Sequence, residues 1–307
     1  MTAIRIGTRG SVLALAQANW VKQRIEARYP DADVQIAVVK TSGDRFVEAP
    51  MQILRGKGVF TKEIEDALLA QKIDLAVHSM KDLPPELPPG LMIAAIPERE
   101  DPSDVLVSRG ALHLRDLPAG GKIGTGSLRR KAQILHHRSD LRVVPLKGNI
   151  DTRLRKLDRE EVDAVILAAA GLKRIGREHR IVEYLSAEVC MSAAAQGALG
   201  LECRAKDPIR EQISFLQHSG TFAEVVAERS FLTTLGAGCH VPVGARAKVA
   251  GDSLHLTGVV AHPDGSVLYR DETTGAPGKA VQLGRDLAAR LLRKGAGSVL
   301  ALPAGPG

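Results

Sequence analysis

The sequence predicts an α/β protein closed by a smaller α+β region, and three observations carry this. Short Val/Ile/Leu runs alternate with helical stretches up to Ile96. A second alternation of the same plan begins near Ser103. The last third holds three strand-like segments separated by Gly and Asp turn residues. Strands joined through helices run parallel, so mostly parallel sheets are expected in the first two parts. The turns of the third part make its sheet antiparallel.

Residues 4–9 read as a strand, and Ser11 is placed to cap a helix that runs to Tyr29 and stops at Pro30. Val34–Lys40 is a second strand. Residues 42–60 mix Gly43, Pro50, Gly56 and Gly58 with charges, as a long mobile loop would. Thr61 is expected to cap a helix to Ala70, followed by strands at Ile73–Val77 and Leu91–Ile96. Four prolines between Leu83 and Pro89 exclude a regular element there. In the second part, strands are expected at Val105–Val107, Lys122–Gly124, Leu141–Leu146 and Asp163–Ala168. Helices are expected from Ser127 to His137 and from Ile150 to Leu157. Residues 196–202 can add a strand back to the first part. The last third reads as a helix over 221–235, strands at Val243–Val249, Leu254–Ala261 and Ser266–Asp271, and a helix over 281–293.

Composition narrows the function. Across 307 residues the chain is 44% hydrophobic and 25% charged, with a formal charge of +7, as a basic globular protein. No run of five Lys/Arg and no aromatic interleaving supports nucleic-acid binding, and no apolar run approaches a membrane span. Cys190, Cys203 and Cys239 lack metal-ligand spacing, so no metal site is expected. With no signal peptide in view, the expected compartment is the cytoplasm.

The cations sit singly where strands end. Arg9 and Ser11 follow the first strand, and Lys81 with Asp82 follows the Ile73 strand. Thr125-Gly126-Ser127-Leu128-Arg129-Arg130 opens a helix, Lys147 to Arg153 follows the Leu141 strand, and Lys173-Arg174 follows the Asp163 strand. Ligands bind beyond the carboxyl ends of strands in such sheets, and arginine forks match carboxylates. One acid among many cations suits a polyanionic small molecule, with Asp82 left for proton chemistry or cation stabilisation. Asp82 reads equally well as the ion-pair partner of a neighbouring cation, and His78 reads as a satisfied structural histidine rather than a base. Lys57 belongs to a loop that could act as a lid. Cys239 sits between Gly238 and Pro242 in a tight turn, as a reactive thiol, an anchor or a bystander.

Taken together, Ile6-Gly-Thr-Arg9-Gly-Ser11, Gly56-Lys-Gly-Val-Phe60-Thr-Lys-Glu, Ala76-Val-His-Ser-Met-Lys-Asp82-Leu-Pro, Glu98-Arg-Glu-Asp-Pro, Gly124-Thr-Gly-Ser-Leu-Arg-Arg130, Lys147-Gly-Asn149, Ala169-Ala-Gly-Leu-Lys-Arg174, Gln196-Gly197 and Gly238-Cys-His-Val-Pro242 resemble the hydroxymethylbilane synthase (porphobilinogen deaminase) family. The resemblance implies two α/β domains similar to type II periplasmic binding proteins, 1–97 with 198–217 and 98–197, and a small α+β domain, 218–307. It implies a dipyrromethane cofactor joined to Cys239 through a thioether. Four porphobilinogen units are then added with loss of ammonia, and water releases hydroxymethylbilane.

By the same resemblance, Asp82 stabilises the azafulvenium-like cation and shuttles protons. Lys81, Asp82, Thr125, Ser127, Arg129, Arg130 and Arg153 serve the cofactor. Arg9, Ser11, Gln17, Lys57, Lys147, Arg153, Arg174 and Gln196 serve porphobilinogen and the growing polypyrrole. A cytoplasmic monomer without nucleic-acid or membrane partner is implied. Three residues depart from the family's habit: Lys147 replaces arginine, Gly126 a small hydroxyl residue, and His240 glutamine. These are expected to tune affinity or elongation without abolishing activity. The alternative is a cytosolic two-domain receptor that closes on an anionic ligand without chemistry.

Overall fold

The computed structural model describes residues 3–42, 61–236 and 241–301. Most of the expected loop, with Lys57, lies outside the described residues, as do Cys239 and His240. In chain order the principal elements begin with β1 Ile4–Thr8, α1 Val12–Arg28, β2 Val34–Val38, α2 Lys62–Leu69, β3 Leu75–Ser79 and β4 Leu91–Ala95. They continue with β5 Asp104–Ser108, β6 Lys122–Gly124, α3 Leu128–His137, β7 Arg142–Val144, α4 Ile150–Asp158, β8 Ala164–Ala168, α5 Ala169–Arg174 and β9 Glu183–Tyr184. The last are β10 Leu199–Arg204, α6 Ile209–Gln212, α7 Ser219–Thr234, β11 Val243–Ala250, β12 Ser253–Ala261, β13 Leu268–Gly275 and α8 Ala280–Leu291.

The chain divides into two compact units, Met1–Arg99 with Ala198–Ser219 and Glu100–Gly197 with Gly220–Gly307. The first unit holds one five-stranded sheet in the order β2-β1-β3-β10-β4. β1 runs parallel to β2 and β3, whereas β10 is antiparallel to both β3 and β4. The second unit holds a five-stranded sheet in the order β7-β6-β8-β5-β9 and the three-stranded sheet β11-β12-β13. β6 is parallel to β7 and β8, but β5 is antiparallel to β8 and β9. The expectation of mostly parallel sheets is therefore corrected to mixed ones. β10 reaches its sheet as the chain returns from the second unit, and β5 opens its own, so neither arrives by the helical crossover that enforces parallel pairing. The third sheet is antiparallel throughout, as its turns require.

Local chemistry accounts for the helices. Ser11 Oγ accepts the Ala14 N–H at 3.3 Å and starts α1, which buries Gln17, Ala18, Val21 and Ile25 along one stripe. Ser127 Oγ accepts from Arg130 N–H to start α3, and Asn149 Oδ1 accepts from Thr152 N–H at 3.0 Å to start α4. Thr61 occupies the corresponding position before α2, yet its side chain makes no capping bond there, which corrects the expected cap. Apolar clusters cover both faces of each five-stranded sheet, built around Ile6, Leu75 and Leu201, around Ile64 and Leu68, around Val165 and Leu167, and around Ile123 and Ile166. A fifth cluster, centred on Phe231, Leu256 and Leu287, lies between the third sheet and its helices.

Within the second unit the β12–β13 turn lies against α3. Gly265 has φ +81°, and a Cβ there would stand 2.5 Å from the His136 amide nitrogen. His136 Nδ1 lies 2.8 Å from the Gly265 carbonyl oxygen. Gly265→Ala should therefore cost about 1–3 kcal/mol from backbone strain alone, with the steric clash added. Gly278→Ala, where a Cβ meets nothing within 4 Å, should be nearly neutral. Urea unfolding of the two variants beside the parent protein checks this contrast.

Candidate active site

In the first unit one pocket gathers Arg9, Ser11, Gln17, Thr61, His78, Ser79 and Asp82. These residues come from the ends of β1 and β3 and the starts of α1 and α2, so the strand-end placement expected for Arg9, Ser11 and Asp82 holds. Gln17, on the buried stripe of α1, donates through Nε2 to Ser79 Oγ at 3.1 Å. The Asp82 amide donates to Ser79 O at 2.9 Å, closing a turn directly after β3. That turn leaves the Asp82 side chain exposed, while Lys81 is half-buried beside it. A carboxylate on a fixed turn, lining one pocket with a guanidinium and a hydroxyl, can accept N–H donors and oppose a developing positive charge.

In the second unit the N-terminus of α3 gathers hydroxyls and amide donors of the kind that suit an anion. Thr125 is buried and donates its amide to Val144 O at 3.0 Å, while its Oγ1 accepts the Ser127 N–H at 3.2 Å. The helix that follows adds its free amides and its dipole. Gly148, at φ +109°, turns the chain into α4, and Arg153 Nε donates back to the Gly148 carbonyl at 2.8 Å. Lys147 is exposed beside this turn. Arg174 ends α5 and donates to Gly197 O at 2.7 Å. Burial pulls its guanidinium down to about 10, against the opposing charge of Glu100.

Arg129 and Arg130 are 6% and 5% exposed, and both close on Asp104, the fully buried first residue of β5. Arg129 Nη1 donates to Asp104 Oδ2 at 2.6 Å and to the Met191 carbonyl. Arg130 donates to Asp104 Oδ1 from Nη2 at 2.7 Å and from Nε at 3.1 Å, and to Ile166 O from Nη1 at 2.9 Å. Gln196 Nε2 adds a bond to Asp104 Oδ1 at 2.8 Å and another to Pro102 O at 2.7 Å. Burial alone would push the Asp104 carboxyl up, but the charges and hydrogen bonds of the two arginines outweigh it and hold it well below the usual carboxylate range. Cys190 stands against the same group, and its thiol is pushed up to about 12, mainly by burial and then by Asp104. Burial also raises the Cys203 thiol to about 11.

Sequence reasoning missed Asp104, Glu65 and Glu202. Asp104 opens the apolar run Asp-Val-Leu-Val, and Glu202 interrupts Leu-Gly-Leu-Glu-Cys. A lone acid inside a buried strand is the signal that could have found both, because such a charge persists only with a partner.

Family-level comparison adds to this geometry. The profile described as "Porphobilinogen deaminase, dipyromethane cofactor binding domain" matches residues 4–212, and "Porphobilinogen deaminase, C-terminal domain" matches residues 222–293. The chain is similar to the porphobilinogen deaminase of Pelobacter propionicus, with 50% identity over 97% of this chain and 96% of the relative. It is also similar to that of Geobacter metallireducens, with 50% identity over 97% and 94%. Among solved structures, the aliphatic sulphonate binding protein SsuA from Escherichia coli aligns over 78% of this chain and 76% of its own, at 16% identity and a TM-score of 0.39.

The Asp104 cluster generates its own test. Asp104→Asn leaves two guanidinium groups buried without a full counter-charge, and removing one partner of such a group costs about 3–5 kcal/mol. Because the native carboxyl is held below its unfolded value, its stabilisation is complete above roughly pH 4 and drains away as pH falls toward the lowered value. Denaturant melts across this range should show the variant less stable at neutral pH, with its deficit shrinking in acid.

Proposed function

The chain belongs to the porphobilinogen deaminase family, and we propose that it joins four porphobilinogen molecules head to tail on a dipyrromethane primer tied to Cys239. Each addition releases ammonia, and hydrolysis frees hydroxymethylbilane. The observation that supports this most directly is the pocket that sets Asp82, exposed on its turn, beside Arg9 and Ser11.

The donor set suits the primer. Pyrroles bearing acetate and propionate arms need several fixed cations and amide donors. The second unit offers the α3 N-terminus with Thr125 and Ser127, together with Lys147, Arg153 and Arg174. Cys190 and Cys203 are buried, with thiols pushed up to about 12 and about 11, which makes them poor thioether anchors and supports Cys239 in that place. When bound, the dipyrromethane supplies the free ring carbon onto which substrate is added. Lys81, Thr125, Ser127 and Arg153 are proposed to hold its carboxylates. Arg129 joins them: its bonds to the described residues all run through Nη1, which leaves its other nitrogens for a ligand.

Arg130 and Gln196 spend their donors inside the unit, so their part in this reading is to keep the neighbouring groups in place. Arg9, Ser11, Gln17, Lys57, Lys147, Arg153 and Arg174 are proposed for the incoming substrate. Asp82 accepts pyrrole N–H groups and offsets the positive charge that grows on the substrate methylene as ammonia departs. Orientation supplies much of the rest of the acceleration.

The three separate sheets, each with its own apolar packing, support a division into domains 1–97 with 198–217, 98–197 and 218–307. We take the enzyme to act as a cytoplasmic monomer without nucleic-acid or membrane partner. Among the described residues no helix is long and apolar enough to cross a membrane. A receptor that only closed on an anion would need neither a carboxylate in the pocket nor an anchoring thiol.

Two measurements test the proposal. Intact mass spectrometry of active protein should show the added mass of a dipyrrole, and Cys239→Ser should lose both that mass and turnover. A bare polypeptide mass on fully active protein overturns the anchor. Asp82→Asn should keep the fold and the adduct yet lose on the order of a hundredfold or more in kcat, as a preorganised charge-stabilising group does. A kcat within twofold of the parent removes Asp82 from the chemistry.

A further inference from the structure

Behind the pocket that holds Asp82 lies a buried polar cluster to which the function above gives no role. His78, on β3, and Glu202, on β10, are diagonal neighbours on one face of the sheet, since Gly200 stands opposite His78 and Ala76 opposite Glu202. His78 Nε2 lies 2.9 Å from Glu202 Oε2. Glu65, from the buried face of α2, approaches the same pair, with Thr61 at the start of that helix. All four are deeply buried: Thr61 is 2% exposed, Glu65 6%, His78 7% and Glu202 0%. Around them pack Ile64, Leu68, Ile73 and Ala76.

The cluster is short of protons. Glu65 Oε1, Glu202 Oε1 and Thr61 Oγ1 are buried without a hydrogen-bond partner. The Thr61 hydroxyl carries its own proton, but the two carboxylates have a single imidazole between them. Ionising both acids in apolar surroundings is costly. Burial raises Glu65 most, and Glu202 and Asp66 add to this; Thr61 and His78 pull the other way without reversing it. Among the described residues the cations within the packed strands are engaged elsewhere, and Arg9 follows β1 into the same pocket. Arg5 on β1 and Arg204 on β10 are committed to Asp74, and β4 carries no titratable side chain. Glu63, two residues before Glu65 on α2, accepts from Ser42. At the other end the cluster reaches the reaction space, because Thr61 and His78 line the same pocket as Asp82 and Arg9.

We propose that Glu65, His78 and Glu202 form a proton store at the back of the Asp82 pocket, and that His78 receives the ring proton displaced in each condensation. This rests on the function proposed above. In each addition the substrate's C–N bond breaks and ammonia leaves with the electron pair. A C–C bond forms between that methylene and the free ring carbon of the growing chain. The ring carbon then gives up its hydrogen as H⁺, and the C–H electrons restore the aromatic ring. Accepting the proton makes an imidazolium held against the Glu202 carboxylate, 2.9 Å from His78 Nε2. The proton then passes to the released ammonia or to water, and nothing is oxidised or reduced.

Glu202→Gln keeps the shape but removes the counter-charge of the imidazolium. Single-turnover rates measured on the adduct-bearing enzyme from about pH 5 to about pH 9 should fall by roughly 10- to 100-fold near pH 8. The acid limb of the profile should move to lower pH by about one unit or more, while the adduct mass persists. A profile that overlays the parent's after scaling, or an unchanged rate, overturns the proposal, because a merely structural residue would scale the curve without moving its limb.

Glu65→Gln gives a second reading that needs no activity. It fixes the neutral form, so it should melt higher than the parent by a gap that widens as pH rises, since a carboxyl raised in the fold loses stability as pH climbs through its raised value. A gap that stays flat or reverses overturns the store. Failure of the parent protein to consume porphobilinogen sinks the proposed function instead, and the Glu65→Gln melts still judge the cluster.

Discussion

A carboxylate with no exposure, Asp104, clamped between two guanidinium groups, is the constraint on which the second unit's cationic face depends. It binds together the start of β5, the first turn of α3 and the segment from Cys190 to Gln196. That segment is held from its other side as well. Glu228, buried on α7, accepts the Ala195 N–H at 2.5 Å and the Ala247 N–H at 2.6 Å. Ala195 has φ +60°, a conformation an alanine adopts only when its surroundings impose it. The α3 N-terminus is thus positioned through a chain of bonds that reaches the third sheet, and the cationic face is fixed before any ligand arrives.

The carboxylates are sorted by environment. Asp104 is buried with two permanent cations and stays ionised. Glu65 is buried beside other acids without a permanent cation among its described neighbours, and its carboxyl is raised, mainly by burial. Asp82 is exposed on a turn, where charge is cheap and geometry is set by the backbone. The same functional group therefore sits in three environments: between two arginines, among other acids in apolar surroundings, and exposed on a turn. Burial and the number of neighbouring cations distinguish them, and such divergence among acids in one molecule is how a fold separates structural from reactive charge.

Much of this was legible in the sequence, and the failures share a cause. Strand and helix positions followed from apolar runs and from Ser11 and Ser127, whose hydroxyls do cap their helices. The placement of Arg9 and Asp82 at strand ends followed from the general geometry of α/β sheets. Strand direction did not, because β10 is paired with β3 by residues more than a hundred positions away, which no local pattern encodes. Thr61 looked like a cap by residue type, but cap chemistry depends on backbone angles, and at φ −118°, ψ −30° the side chain makes no capping bond. Arg129 and Arg130 looked alike in sequence, yet only the fold reveals that Arg130 engages three nitrogens internally while Arg129 engages one. Partner counts of this kind are long-range facts.

The glycine at position 126 illustrates how a departure from a family habit can be read physically. A hydroxyl side chain there would add one donor beside the α3 N-terminus. In this chain a Cβ at residue 126 would lie 3.2 Å from the Leu146 carbonyl oxygen, so the backbone would have to yield by a few tenths of an ångström. The Gly124 Cβ position is tighter still, 2.7 Å from Leu146 Cδ2. Leu146 is itself buried in the cluster beneath β8 and does not give way freely. The close approach of the 146–148 turn to the 124–126 turn thus takes up the space that a hydroxyl would use. The polar groups left at this corner are the Thr125 and Ser127 hydroxyls and the amides of the first helical turn, with Lys147 a point charge without the fork of an arginine.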